Sequence, residues 1–153
     1  MPINFEASFK KGLEAAEAAS KVNLEIDSVL QELNDQINSA SDGRIGIELQ
    51  HKRDSLAALT SFMSKGFQDA KTKTYIVAVN KSAGKKEEEL AEFERASTGY
   101  PCHLIYEDQE VFCNDKLALE KQLSMMLSHV NIGKQLARLL NWPALPASGQ
   151  VDE

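Results

Sequence analysis

The chain has 153 residues, 42% of them hydrophobic and 26% charged, with a formal charge of −6. That is the size and balance of one folded domain with its own core. Its longest apolar runs, such as "YIVAV" at residues 75–79, fall far short of the roughly 18 residues a membrane-spanning helix needs. No basic stretch followed by an apolar one stands at the start, so the sequence predicts a cytoplasmic chain that spans no membrane.

Charge is distributed unevenly. Residues 1–43 carry three basic and eight acidic residues, residues 44–86 nine and three, residues 87–120 two and ten, and residues 121–153 three and two. A basic segment between acidic ones marks either an anion-binding face or internal pairing between elements. Internal pairing is the commoner outcome.

In chain order, residues 4–41 read as one long helix. Asn4 is a capping residue, and Ala, Glu, Leu and Lys dominate the composition. Apolar positions recur at Phe9, Leu13, Ala16 and Ser20, and again at Ile26, Leu30, Leu33 and Ile37 after a slip in phase near Asn23. A helix of that length is about 50 Å long, more than a 100-residue remainder covers. The sequence therefore predicts either a helical hairpin broken near 21–23 or a helix that dimerises through Phe9, Leu13, Ile26, Leu30, Leu33 and Ile37.

Asp42-Gly43 reads as a turn, and "RIGIELQ" then alternates apolar and polar residues as a strand does. The rival reading carries a helix from Ile45 to Phe67. The preferred reading follows the strand with a helix capped by Asp54 and presenting Leu56, Leu59, Phe62, Met63 and Phe67. "KTYIVAVNK" is apolar on both faces and reads as a central strand. Residues 82–98 read as a surface helix. Ser82 would cap it, Glu87–Glu89 suit its first turn, Leu90, Phe93 and Ala96 follow its period, and Gly99 stops it.

A hairpin over residues 102–113 comes next. A helix capped by Asn114 or Asp115 presents Leu119, Leu123, Met126, Leu127 and Val130, and Asn131 and Gly133 interrupt it. A last helix carries Leu136, Leu139 and Leu140. The fold class expected is α+β: a small mixed sheet of about four strands with a C-terminal β-hairpin, packed by helices and preceded by the long helix or helical hairpin. A strand–helix–strand order favours a parallel crossover. The divisions are a packing segment over 1–43, a core over 44–141 and a loose tail over 142–153.

Cys102 and Cys113 are the chain's two cysteines. With Glu107-Asp108 as the hairpin loop they sit directly opposite; with Asp108-Gln109 they sit one diagonal apart. Either register puts both on one apolar face beside Leu104, Tyr106 and Val111, which favours two reduced, buried thiols. His103 points to the other face, and no further ligand has zinc-like spacing, so no metal site and no cofactor are predicted.

Gly-rich phosphate loops, GxSxG, HExxH and CxxC are all missing. The best catalytic candidates are Asp42, Glu48, Gln50 and Lys52: an acid before a strand, followed by an acid, an amide and a lysine on one strand face. That is an arrangement by which Mg²⁺-dependent nucleases hold metal and position water. Nearby Arg44, His51, Lys52, Arg53, Lys65, Lys71 and Lys73 would suit a phosphate-bearing substrate, but the segment 44–86 lacks the interleaved aromatics of a single-strand binder. The preferred reading is a non-enzymatic, regulatory protein-interaction protein, inhibitor- or immunity-like, and a homodimer. It would bind a partner protein through an acidic surface of Glu87, Glu88, Glu92, Glu107, Asp108 and Glu110. A nuclease and a nucleic-acid-binding accessory are the alternatives.

Overall fold

A computed structural model describes residues 2–53 and 72–143. The elements are α1 (Phe5–Ala40), β1 (Ile45–Arg53), β2 (Thr72–Asn80), a 3-10 turn (Lys81–Ala83), β3 (Lys86–Ala96), β4 (Gly99–Tyr106), β5 (Gln109–Cys113), α2 (Lys116–Ser128) and α3 (Val130–Leu140). The helix expected after Asp54 and the tail beyond residue 143 lie outside the described residues.

The five strands form one antiparallel meander in the order β1-β2-β3-β4-β5. The class is α+β as the sequence predicts, with five strands where about four were expected. No described strand pair is parallel, so the expected mixed sheet and parallel crossover give way to hairpin connections. The segment read as a surface helix is the strand β3. Its pairing with β2 slips between Ile76 and Val77, leaving Leu90 as an extra residue between Glu89 and Ala91. This bulge buries Leu90 and Ala91 in succession, with Phe93 two residues on. Apolar residues at 90 and 93 then imitate a helical period although the backbone is extended.

α1, α2 and α3 cover one face of the sheet. Ile45, Ile47, Ile76, Ala78, Ala91, Phe93, Cys102, Leu104, Tyr106 and Cys113 form that face and join Ile26, Val29, Leu119, Leu123, Met126, Ile132 and Leu139 of the helices in one core. Val77 and Val79 point to the other face and are buried as well, as the two-sided apolar sequence of this strand implies.

α1 is a single unbroken helix. Asn4 caps it, its side chain accepting from Ala7 N–H at 3.1 Å. At its far end it is bound to the edge strand β1. Asn34 Oδ1 accepts from Ile47 N–H at 2.8 Å, Asn38 Nδ2 donates to the Ile45 carbonyl at 3.2 Å, and Ser41 Oγ accepts from Ile45 N–H at 2.9 Å. These are groups that an edge strand would otherwise leave open to another chain.

Across the sheet, α1 meets the β3–β4 turn. Arg95 donates to Asn23 and pairs with Asp27 at 2.6 Å. Tyr100 reaches Glu25 at 3.4 Å; burial, with Glu25 adding to it, pushes the phenol up to about 12. Gly99 has φ +102, and a Cβ built there would run into Val22. The turn thus needs glycine for both backbone shape and room.

α2 starts at Asp115, whose carboxylate accepts from Ala118 N–H at 2.8 Å. The break between α2 and α3 falls at His129, two residues before the expected one, where Nδ1 accepts from Asn131 N–H at 3.2 Å. The C-terminal carbonyls of α3 are taken up by the sheet. Buried Asn80 donates to Leu139 O at 2.8 Å and Arg44 donates to Leu140 O at 3.4 Å. A helix end needs such partners because its last carbonyls have none within the helix.

Two glycine substitutions should move stability in opposite directions. Gly99→Ala, strained in φ and colliding with Val22, should cost ~2 kcal/mol or more. Gly133→Ala, exposed in α3 with nothing within 4 Å of the added carbon, should stabilise by about 0.5–1 kcal/mol. Urea denaturation of each variant measures both; equal effects would refute the packing assigned to the β3–β4 turn.

Candidate functional site

Among the described residues, half of α1 has no part of the body to lie on. From residue 22 the helix faces the sheet: Ile26 and Val29 are buried, and Val22, Leu30, Leu33 and Ile37 pack against the core. Before that point every residue from Pro2 to Ala18 is exposed. At 1.5 Å per residue the free arm, residues 5–21, is about 26 Å long. It carries large apolar side chains in solvent: Phe5 is 75% exposed, Phe9 66% and Leu13 56%, and Leu24 on the outer side of the anchored half is 66% exposed. At about 100° per residue the row Phe5, Phe9, Leu13, Ala16, Ser20 and Leu24 is turned roughly a third of a turn from the core-facing row. The phase slip near Asn23 is therefore the point where the helix leaves its own core.

The six residues expected to dimerise divide accordingly. Phe9 and Leu13 stand in solvent, whereas Ile26, Leu30, Leu33 and Ile37 are engaged with the chain's own core. Polar supports hold the arm helical. Glu6 pairs with Lys10 at 3.4 Å and Glu17 with Lys21 at 3.8 Å, one turn apart.

The residues predicted for the acidic surface are scattered over three places, and most of them are paired. Glu87 accepts from Gln50 at 2.8 Å and lies 4.0 Å from Lys52. Glu88 faces the helices and pairs with Arg138 at 2.9 Å; this hydrogen bond raises the arginine's pKa. Glu92 pairs with Lys73 at 3.2 Å. Glu107 accepts from Asn131 at 3.2 Å, and Glu110 Oε1 lies 2.7 Å from His103 Nε2. Asp108 is exposed at the tip of the β4–β5 hairpin. Sequence blocks of opposite charge thus meet across β1, β2 and β3.

Glu48, Gln50 and Lys52 do share one face of β1, as their alternation predicts. Gln50 donates to Glu48 at 2.8 Å. Lys52 is held by Glu89 and Glu87, and the Glu89 hydrogen bond raises its pKa. Asp42 sits in the turn before the strand with φ 56, its N–H bonded to Ser39 O. Among the described residues no group of three or more His, Cys, Asp and Glu side chains could hold a metal ion. Of the basic residues expected to face phosphate, Lys52 and Lys73 are matched to carboxylates of β3. Lys65 and Lys71 lie outside the described residues.

The thiols occupy the register with Glu107-Asp108 as the loop: Cys102 and Cys113 are directly opposite. Both are free and fully buried. Burial, with the neighbouring Cys113 adding to it, pushes Cys102 up to about 11, and burial also raises Cys113. Thiols so placed are protonated and poorly nucleophilic at neutral pH.

Sequence reasoning missed one cluster on the opposite sheet face. His103 stacks on Phe112 with ring centroids 4.4 Å apart and planes 2° apart, between Glu110 and, at 3.9 Å, Glu94. His103 Nε2 is buried and lies close to Glu110 but off the line of a hydrogen bond. The signal that could have located the cluster was register: His103 faces Glu94 on one side and Phe112 on the other only once β3 is a strand.

Among the described residues no helix is long and apolar enough to cross a membrane. Comparison with known protein families, with characterised proteins and with solved structures finds no match.

The thiol environment fixes an alkaline limit. Cys102 is raised from 9.0 to about 11 on folding, so the stability gained by keeping it protonated is complete below pH 9 and is lost as pH climbs towards 11. Unfolding free energies from urea titrations at pH 8.5 to 10.5 should fall on the order of 1 kcal/mol per pH unit, with a shallower fall in Cys102→Ala. At pH 8 a disulfide reagent should find no fast-reacting thiol in native protein and both in denaturant. A fast native reaction would contradict the burial.

Proposed function

We propose that this chain is a non-enzymatic, cytoplasmic protein-interaction protein of the regulatory, inhibitor- or immunity-like kind. It self-associates through the free half of α1 and offers the acidic β4–β5 hairpin to a second protein. The observation that carries the reading is the solvent-facing row Phe5, Phe9, Leu13 and Leu24 on a helix that extends beyond the sheet it is bound to. A row of large apolar side chains along one exposed helix face marks an interaction site more than apolar residues exposed singly elsewhere, such as Phe112 and Val130. Burying residues of this size against a partner contributes about 1.5–3 kcal/mol each.

The acidic component of the reading narrows from six carboxylates to the hairpin corner of Glu107, Asp108 and Glu110. Glu87, Glu88 and Glu92 are matched within the sheet or to α3, and a matched carboxylate offers a partner little net charge. Nucleic acid is not part of the reading, because Lys52 of β1 and Lys73 of β2 are paired with carboxylates of β3.

The double substitution Phe9→Glu with Leu13→Glu tests it. Sedimentation of the full chain across micromolar concentrations should show self-association in the wild type and none in the variant. The near-UV signal of the body should be unchanged, since neither side chain belongs to the core. A wild type that stays monomeric while the double variant loses its body's tertiary signal would mean the arm packs on its own domain, and would end the proposal.

A further inference from the structure

The arm's sequence specifies the orientation of its partner. Resting on the self-association proposed above, we infer that the occupant of the arm is a second copy of the same helix running antiparallel about a two-fold axis near residues 13–16.

Three observations carry it. The first is spacing. The exposed row falls at 5, 9, 13, 16, 20 and 24, with gaps of 4, 4, 3, 4 and 4 that read the same in either direction. Reversed against itself, the row sets Phe5 over Leu24 of the second copy, Phe9 over Ser20 and Leu13 over Ala16. Each large side chain of the arm then meets a small one or the exposed Leu24, as interdigitating cores require. A parallel pair sets Phe5 on Phe5 and Phe9 on Phe9, and wastes the small positions.

The second observation is charge. Immediately beside the row lie Glu6, Lys10, Glu17 and Lys21, alternating in sign along one flank. In antiparallel pairs like flanks face each other, so Glu6 meets Lys21 of the second copy, Lys10 meets Glu17, and the two-fold axis repeats both contacts. The opposite flank is Ser8, Gly12, Ala15 and Ala19, small enough for the helices to approach closely; no side chain crowds Gly12 in the structure. A parallel pair would instead set the charged flank against this small one and leave the charges without counterparts.

The third is length. The free arm ends where α1 meets the β3–β4 turn at Val22 and Gly99, so an antiparallel partner's Phe5 reaches Leu24 as its helix ends. The two bodies then stand at opposite ends of the paired arms, and each arm is covered along its whole free length.

Cross-linking with a short bis-maleimide tests the orientation in the full chain, the native thiols being buried. Phe9→Cys mixed with Ser20→Cys should give covalent dimer, and Phe9→Cys alone should give none. Separately, Lys10→Glu with Lys21→Glu should weaken self-association at least tenfold. Mixing that variant with Glu6→Lys, Glu17→Lys should restore it as a heterodimer. Cross-linking of Phe9→Cys with itself in a wild-type-like dimer would establish a parallel pair and overturn the inference while leaving self-association intact. Failure of the complementary charge variants to pair would overturn it as well.

Discussion

The arrangement depends on how α1 is tied across the sheet. At one end Asn34, Asn38 and Ser41 take up the outward-pointing backbone groups of β1. At the other, Arg95, Tyr100 and Gly99 receive Asn23, Asp27, Glu25 and Val22. Five strands at about 4.8 Å make a sheet roughly 20–25 Å across, and a 36-residue helix is about 54 Å long. A helix of that length, tied to the edge strand β1 at one end and to the β3–β4 turn further along, must overshoot the sheet. The ties at the β1 edge hold the C-terminal end, so the overshoot is all N-terminal. The same contacts close β1 to intruding strands, while the other edge, β5, is only five residues long. Protection of the sheet and projection of the arm are two consequences of one helix placement.

The charge blocks of the sequence are resolved by strand order. The basic segment supplies β1 and β2, the following acidic segment supplies β3, and antiparallel pairing lays them side by side. Lys52 meets Glu87 and Glu89, and Lys73 meets Glu92. Exposed pairs of this kind contribute about 0–1 kcal/mol each, so they do little for stability. Their effect is on register. A one-residue slip of β3 would carry its glutamates to the apolar face and Ala91 and Phe93 to the solvent face. Glu88, which does face the helices, is matched there by Arg138 and Gln135 of α3.

Much of this was legible in the sequence, for identifiable reasons. The helical composition of residues 4–41 with its Asn4 cap, a cap at Asn114 or Asp115, the strands in "RIGIELQ" and "KTYIVAVNK", and a hairpin that sets both cysteines on one face all carry local signals that tertiary packing does not override; whether the first helix breaks, and which register the hairpin takes, were left open. The strand β3 was not legible. "KEEELAEFERA" is rich in helix formers, and the bulge at Leu90 breaks the alternation that would have marked a strand. What decides its state is β2, which is apolar on both faces and needs a neighbour on each side. The apolar stripe of α1 was half legible. The phase slip near Asn23 was visible, but which half faces the core depends on Val22 closing against Gly99, a contact across 77 residues of chain. The intrachain pairing of Glu87, Glu88 and Glu92 was not legible, because a run of glutamates looks the same whether its countercharges sit on the next strand or on another molecule.

The arm itself shows how local and tertiary forces trade places along one helix. Most helical stability in proteins comes from tertiary packing, and in the arm every residue from Phe5 to Ala18 is exposed. There the sequence concentrates alanines, two i,i+4 ion pairs and an N-cap. Past residue 22, where burial of Ile26 and Val29 takes over, residues of lower propensity such as Asn34 and Asn38 become affordable and are used to bind β1. The alanines, ion pairs and cap account for the arm being helical; none of them accounts for Phe5, Phe9 and Leu13. A helix needed only as an extension would be more soluble with polar residues at those three positions. All three stand largely in solvent and helix propensity does not favour phenylalanine there, so the proposed self-association rests on this exposed apolar row rather than on the arm being helical.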